Sequence, residues 1–122
     1  MQVHKGLTEE QIEQLEQELT KHGYRKWDGK ISNEDYYWCK GFEHYEDEDG
    51  DKRCSYQVLF QVWDNRKYSH VPDNSKFGVQ ATVLISDNHR TDLILCRPSY
   101  DIIEVEKHAQ SFYNWAKFNL EL

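Results

Sequence analysis

The sequence has no long hydrophobic run. None of its apolar stretches approaches the roughly 18 residues that a membrane-spanning helix needs, and its start, Met-Gln-Val-His-Lys-Gly, lacks the apolar segment of a secretion signal. We therefore expect a cytoplasmic protein that does not associate with membranes. The 122 residues fit a single domain spanning 1–122, long enough to bury one hydrophobic core.

Cysteine is also scarce. The three cysteines are Cys39, Cys54 and Cys96, and none belongs to a CxxC pair. An odd and sparse set is not typical of a disulfide framework, so we expect buried thiols that act as small hydrophobic residues. A hairpin turn centred near Asp49 would place Cys54 opposite Glu43 rather than Cys39, which disfavours a disulfide between the first two.

Signature motifs of catalysis and metal binding are missing. The six histidines form neither an HxH nor an HExxH pattern, and no glycine-rich phosphate loop is present. Neither Cys39 nor Cys96 lies on the sharp strand-to-helix turn of a nucleophile elbow. We therefore expect no catalytic residues, no metal site and no cofactor. An enzyme that combines Asp35 and Glu43 with a histidine stays open as an alternative, although no spacing supports a reacting pair.

What the sequence does have is negative charge. Fifteen Lys and Arg face 22 Asp and Glu, for a net charge of −7. The excess is concentrated in residues 31–54, where the acids outnumber the bases. A negative surface repels phosphate backbones, so we expect no direct nucleic-acid binding. The acids of this segment are Glu34, Asp35, Glu43, Glu46, Asp47, Glu48, Asp49 and Asp51.

The acidic turn around residues 46–51 invites comparison with a calcium loop. With Gly50 at the sixth position of an EF-hand loop, Asp47 and Asp49 match two ligand positions, but the twelfth position holds Tyr56 instead of glutamate. We therefore interpret the turn as a solvated hairpin tip, and keep a weak cation site as the alternative.

The start of the chain predicts a helix over about 8–22. Thr8 and Gln11 have the spacing of a capping box, and Gly23 is well placed just after the last turn. The apolar residues that recur at helical spacing are Ile12, Leu15 and Leu19.

Alternating apolar and polar residues follow. They predict strands at about 35–43, 54–63, 77–86 and 91–97, whereas residues 24–34 are compatible with a loop or a short strand. Asp101 and Glu104 then form a second capping-box pattern, and apolar spacing predicts a helix over about 102–119.

This order predicts an α+β fold. Short connections make neighbouring strands antiparallel, so we expect one four-stranded antiparallel sheet in the order α-β-β-β-β-α. Both helices should pack on the same face of the sheet, which leaves the other face open to water or to a partner. The residues expected beneath the helices include Val58, Phe60, Val79 and Val83.

The opposite face has an unusual composition. Large apolar side chains alternate there with polar ones, and such mixtures are typical of binding surfaces. The apolar members are Tyr37, Leu59, Trp63, Leu84 and Ile94, and the polar members are Gln57, Gln61, Gln80 and Thr82.

We therefore predict a non-enzymatic protein-binding module of the inhibitor, immunity or adaptor type. Its contacts would come from the open sheet face and from the acidic hairpin, which would attract a basic partner. The predicted contact residues are Tyr37, Leu59, Trp63 and Leu84 on the sheet and Glu46, Asp47, Glu48 and Asp49 on the hairpin. A homodimer through the same face is the nearest variant.

A small-ligand or saccharide-binding domain is the alternative. Its cavity would lie between the sheet and the helices. The ring-bearing residues expected to line it are Trp38, Tyr56, Tyr113 and Trp115. The same rings, together with Phe112, also suit positions in an ordinary core, so the sequence leaves the choice open.

Overall fold

As predicted, one helix precedes the strands of an antiparallel sheet in the sequence and a second helix follows them. A computed structural model describes residues 6–28, 34–85, 93–97 and 101–120, with only the backbone for 93–97 and Leu120. In chain order the elements are α1 (Glu9–Lys21), β1 (Arg25–Trp27), β2 (Tyr36–Glu46), β3 (Lys52–Asp64), β4 (Phe77–Ile85), β5 (Leu93–Arg97) and α2 (Ile102–Leu120).

The four predicted strands are β2 to β5, and they form one antiparallel sheet. β1 adds a short edge strand to it, in the segment that the sequence left open between loop and strand, so the strand order is β1-β2-β3-β4-β5. Residues 91 and 92 of the last predicted strand lie outside the described residues, as do the side chains of Ile94 and Cys96.

The ends of α1 are fixed by the predicted local contacts. The Gln11 N–H donates to the Thr8 hydroxyl at 3.1 Å, and the Thr8 N–H donates to the Gln11 side chain at 2.9 Å. Gly23 has a φ of 86°, in the left-handed region that favours glycine. The Tyr24 N–H then donates to the Leu19 carbonyl at 2.9 Å, so the chain turns back and Tyr24 is buried.

One face of the sheet carries the core. Val58 pairs with Val83 and Phe60 pairs with Ala81, and residues directly opposite each other on antiparallel strands project to the same face. All four of the residues predicted to lie beneath the helices are buried. The helix residues that join the same core are Ile12, Leu15 and Leu19 from α1 and Ile102, Val105, Ala109 and Ala116 from α2.

Hydrogen bonds attach both helices to that face. The Trp38 indole N–H donates to the Glu16 carboxylate of α1 at 3.1 Å. The Tyr56 hydroxyl donates to Gln110 of α2 at 2.9 Å. Trp38 and Tyr56 both belong to the core face, so the predicted packing of the two helices on one side is confirmed.

The placement of Trp115 in the core was wrong. Its side chain is 53% exposed, and it stacks on Phe112 with ring centroids 6.2 Å apart. The core positions of α2 are held by Ala109 and Ala116, which are fully buried. Consecutive helical residues point about 100° apart, so a helix that buries Ala116 turns Trp115 toward solvent.

Cys39 and Cys54 are half-buried, which corrects the prediction of buried thiols, and the register of the hairpin differs by one residue from the predicted one. Cys54 lies opposite His44 rather than Glu43, because the turn between β2 and β3 is centred on Asp49 itself. Cys39 pairs with Leu59, and both thiols are free. Among the described residues, no helix is long and apolar enough to cross a membrane.

Candidate functional site

The four sheet residues of the predicted site share one face. The alternation places Tyr37, Leu59, Trp63 and Leu84 on the side opposite the helices, which we call the outer face. The register confirms this arrangement, because Leu59 pairs with Thr82 and Trp63 with Gly78, between the positions that project into the core.

The centre of the outer face is buried, which corrects the expectation that this whole face is open to water or to a partner. Leu59 is 2% exposed, and Gln61 and Thr82 are also buried. β3 is the middle strand of the sheet, flanked by side chains of both neighbours. The Thr82 hydroxyl donates to the Gln61 side-chain oxygen at 2.8 Å, so two polar groups expected to face water satisfy each other. Leu59 therefore offers no contact area to a partner.

A recess lies at one end of the outer face, beside Trp63. Its volume is about 350 Å³, and we call it the Trp63 pocket. Gly78 lies opposite Trp63, and a Cβ at Gly78 would lie 3.9 Å from the indole atom Cε3. Because Gly78 has no side chain, the indole keeps an open flank. No charged residue appears among the described residues that line the pocket, which are Gly6, Trp63, Asn65, Ser75, Phe77, Gly78, Val79 and Gln80.

Tyr37 and Leu84 are half-buried on the same face. Burial raises the pKa of the Tyr37 hydroxyl above its ordinary value, and the neighbouring Cys39 and Glu34 raise it further. The hydroxyl therefore stays protonated at neutral pH and remains a hydrogen-bond donor. Aromatic and aliphatic side chains of this kind, partly covered by their neighbours, supply contact area without first having to lose much water.

The acidic hairpin is organised by Asp47. One of its carboxylate oxygens accepts the N–H groups of Asp49 at 3.0 Å and Asp51 at 2.9 Å. The other accepts the Arg53 Nε–H at 2.9 Å. The hydrogen bond from Arg53, followed by those from the backbone, lowers the pKa of Asp47. Asp47 therefore stabilises the turn, whereas Glu46, Glu48 and Asp49 are exposed and present charge to solvent.

Three hairpin carboxylates lie close together. Oxygen atoms of Asp47, Asp49 and Asp51 are within 4.8 Å of one another. Both Asp47 oxygens already accept hydrogen bonds from the turn and from Arg53. The geometry therefore favours the interpretation of a solvated hairpin tip, with Asp47 acting as its internal cap.

The structure does not bring the two halves of the predicted site together. Trp63 lies eleven residues beyond Lys52, the first residue of β3 after the hairpin. At about 3.3 Å per residue, that separation is roughly 36 Å. The hairpin and the Trp63 pocket are therefore two separate surfaces at opposite ends of one strand.

Two clefts larger than the Trp63 pocket lie elsewhere among the described residues. One, of about 550 Å³, lies at the β1 edge of the outer face and includes Trp27, Arg25 and Lys52 in its lining. The other, of about 630 Å³, runs between α1 and the sheet and is lined in part by Glu16 and Tyr36. The acidic residues at helical spacing along α1 indicated one wall of the second cleft. The sequence could not show that this wall faces β2, because that contact forms only in the tertiary fold.

The cavity predicted between the sheet and the helices is present only in part among the described residues, because Trp38 lines the cleft beside α1 whereas Tyr56, Tyr113 and Trp115 do not. The Tyr56 ring lies between Phe42, at a centroid distance of 5.1 Å, and Tyr113, at 4.9 Å. These rings fill the space by stacking on each other. Trp115, another aromatic residue expected to line the cavity, is exposed to solvent.

Comparison with known proteins does not add a functional assignment. The chain matches no protein-family model, no curated protein and no solved structure at a significant level.

Proposed function

We propose that this protein is a non-enzymatic protein-binding module that takes an uncharged side chain of its partner into the Trp63 pocket. The observation that carries this proposal is the pocket itself. In a chain whose residues are 30% charged, the described lining of the pocket carries no charge and contains an indole flanked by glycine.

Anchors of this kind dominate protein interfaces. A few aromatic residues in well-packed recesses account for most of the binding energy, and the contacts around them chiefly exclude water. Trp63 supplies the aromatic wall, and Asn65, which donates to the Ser75 carbonyl at 3.2 Å, holds the loop that forms the rim. Tyr37 and Leu84 extend the contact area along the outer face.

The acidic hairpin has a different part in this proposal. It lies roughly 36 Å from Trp63 along β3, well beyond the screening length of about 8 Å at physiological salt. Its exposed acids, together with the net charge of −7, would raise the association rate with a basic partner more than the final affinity. An inhibitor, immunity factor or adaptor would use a surface divided in this way.

Trp63→Ala tests the proposal. The partner is first isolated with the wild-type protein from cells of the source organism and then purified for calorimetry. Removal of a hot-spot Trp is expected to cost at least about 2 kcal/mol, or roughly a thirtyfold rise in Kd. Trp115→Ala is the matched control, because it deletes an exposed Trp from α2 on the other side of the sheet.

Gly78→Ala is a second variant that separates binding from folding. The added Cβ would make ordinary contacts of 3.8–3.9 Å with Trp63 and Asn65, so the fold should tolerate it while the pocket becomes smaller. We expect a weaker complex at unchanged thermal stability. Wild-type affinity in both Trp63→Ala and Gly78→Ala would exclude the pocket as the anchor.

A further inference from the structure

The cleft between α1 and the sheet lies on the helix-covered side of the sheet. It runs between α1 and the edge formed by β1 and β2, has a volume of about 630 Å³, and we call it the helix groove. Tyr36 and Trp38 form its aromatic floor, and Glu16 and Lys26 lie beside them. The outer face and the Trp63 pocket are on the opposite side of the sheet.

Glu16 is held in place at the centre of this groove. The Trp38 indole N–H donates to its Oε2 at 3.1 Å, and the Tyr36 hydroxyl donates to its Oε1 at 3.4 Å. Burial raises the pKa of Tyr36, and the Glu16 carboxylate raises it further, so the hydroxyl keeps its proton and continues to donate. Two aromatic donors therefore fix one carboxylate against an aromatic floor.

The groove already contains an ammonium group from its own chain. Lys26 Nζ lies 4.2 Å from the centroid of the Tyr36 ring and 4.0 Å from Glu16 Oε2. An aromatic face with a neighbouring carboxylate is an arrangement that binds ammonium groups. The Lys26 side chain is 46% exposed, so it can leave this position for water without disrupting the core.

We propose that the helix groove binds a lysine side chain from a basic protein segment, and that Lys26 occupies its place in the free protein. This proposal does not rest on the Trp63 pocket, because Tyr36, Trp38 and Glu16 take no part in that pocket, and Phe77 is the one described residue that lines both. Binding would exchange one ammonium for another, with the incoming lysine over Tyr36 and beside Glu16.

A second cation in the groove repeats the arrangement. The Arg66 guanidinium carbon lies 4.9 Å from the centroid of the Phe77 ring, and Arg66 Nη1 lies 3.9 Å from Glu9 of α1. Unlike Lys26, Arg66 is also held by Asp64, to which its Nη2 donates at 2.8 Å. Glu9, Glu13 and Glu16 follow one another at helical spacing and all line the groove. The groove therefore places a cation beside an aromatic ring and an α1 carboxylate at both ends.

The test uses a short capped peptide, acetyl-Gly-Lys-Gly-amide, and its norleucine counterpart, which has the same aliphatic length without the charge. Binding is followed by NMR through the Trp38 indole N–H, which reports directly on Glu16. In Lys26→Ala we expect the lysine peptide to bind about threefold to fivefold more tightly than in the wild type, because the internal competitor is gone. Lys21→Ala is the matched control, since Lys21 pairs with Glu18 instead.

Glu16→Gln in the Lys26→Ala background should abolish the gain in affinity for the lysine peptide. Circular dichroism and thermal melting show whether this double variant is folded. The norleucine peptide should not shift the Trp38 signal. The proposal is overturned if the lysine peptide shifts Trp38 in neither protein, if both peptides bind equally, or if Lys26→Ala and Lys21→Ala have the same affinity.

Discussion

Phe60→Ala is expected to lower the free energy of unfolding by about 3–5 kcal/mol. Phe60 is fully buried in the central strand β3, and its ring meets that of Tyr24 edge-on at a centroid distance of 5.5 Å. Trp38 and Ala81 lie opposite it on the two neighbouring strands, so the cavity would be bounded by backbone that is hydrogen-bonded within the sheet. Since a small domain has a total stability of about 5–15 kcal/mol, the loss should be visible as a large fall in the urea midpoint.

Phe118→Ala is the matched control for this prediction. Phe118 is 87% exposed on α2, and the same truncation there should change the unfolding free energy by less than about 0.5 kcal/mol. Equal effects of the two substitutions would contradict the position of Phe60 in the core.

Ala109→Asp is the second substitution with a large expected effect. Ala109 is fully buried where α2 packs on the sheet, and its small side chain lets the helix lie close to the strands. A carboxylate at this position would lose its hydration without gaining a partner, which should cost about 3 kcal/mol or more at neutral pH.

The pH dependence of Ala109→Asp gives a further check. Burial raises the pKa of a carboxyl group in the folded state above its value in the unfolded chain. Protonation therefore favours the folded variant, and the deficit relative to the wild type should shrink between about pH 7 and pH 4. Ser111→Asp, at an exposed position of the same helix, should show neither the deficit nor this trend in urea titrations. A constant deficit for Ala109→Asp would argue against a buried interface of α2.

Features that depend on neighbouring residues could be predicted from the sequence. The capping box of Thr8 and Gln11 and the left-handed Gly23 form through contacts within a few residues, so their patterns were sufficient. The alternation of β3 and β4 also revealed which face of the sheet is buried, because a strand presents every second side chain to the same side.

Features that depend on distant residues could not be predicted in the same way. Trp115 and Ala116 both fit an apolar stripe, and only the packing of α2 decides which of them meets the sheet. Leu59 was placed on the correct face, but its burial could not be deduced from the alternation within β3 alone. The helix groove joins Glu16 to Trp38, which is 22 residues away.

The candidate site shows the same division. Alternation placed Trp63 on the outer face, whereas the pocket beside it also requires Gly6 and Ser75, which are distant in sequence. The hairpin acids were identified by composition alone. Their separation from Trp63 follows from the length of β3, which the structure extends by two residues before the predicted start and one after the predicted end.

Nuclear Overhauser contacts from the sheet aromatics to the two helices test the central claim most directly, because they show which face of the sheet the helices cover. The account predicts contacts from Trp38 to Glu16 of α1 and from Tyr56 to Tyr113 of α2, with none from Trp63 or Tyr37 to either helix. Contacts from Trp63 or Tyr37 to α1 or α2 would contradict it, because the outer face would then be covered by the protein's own helices.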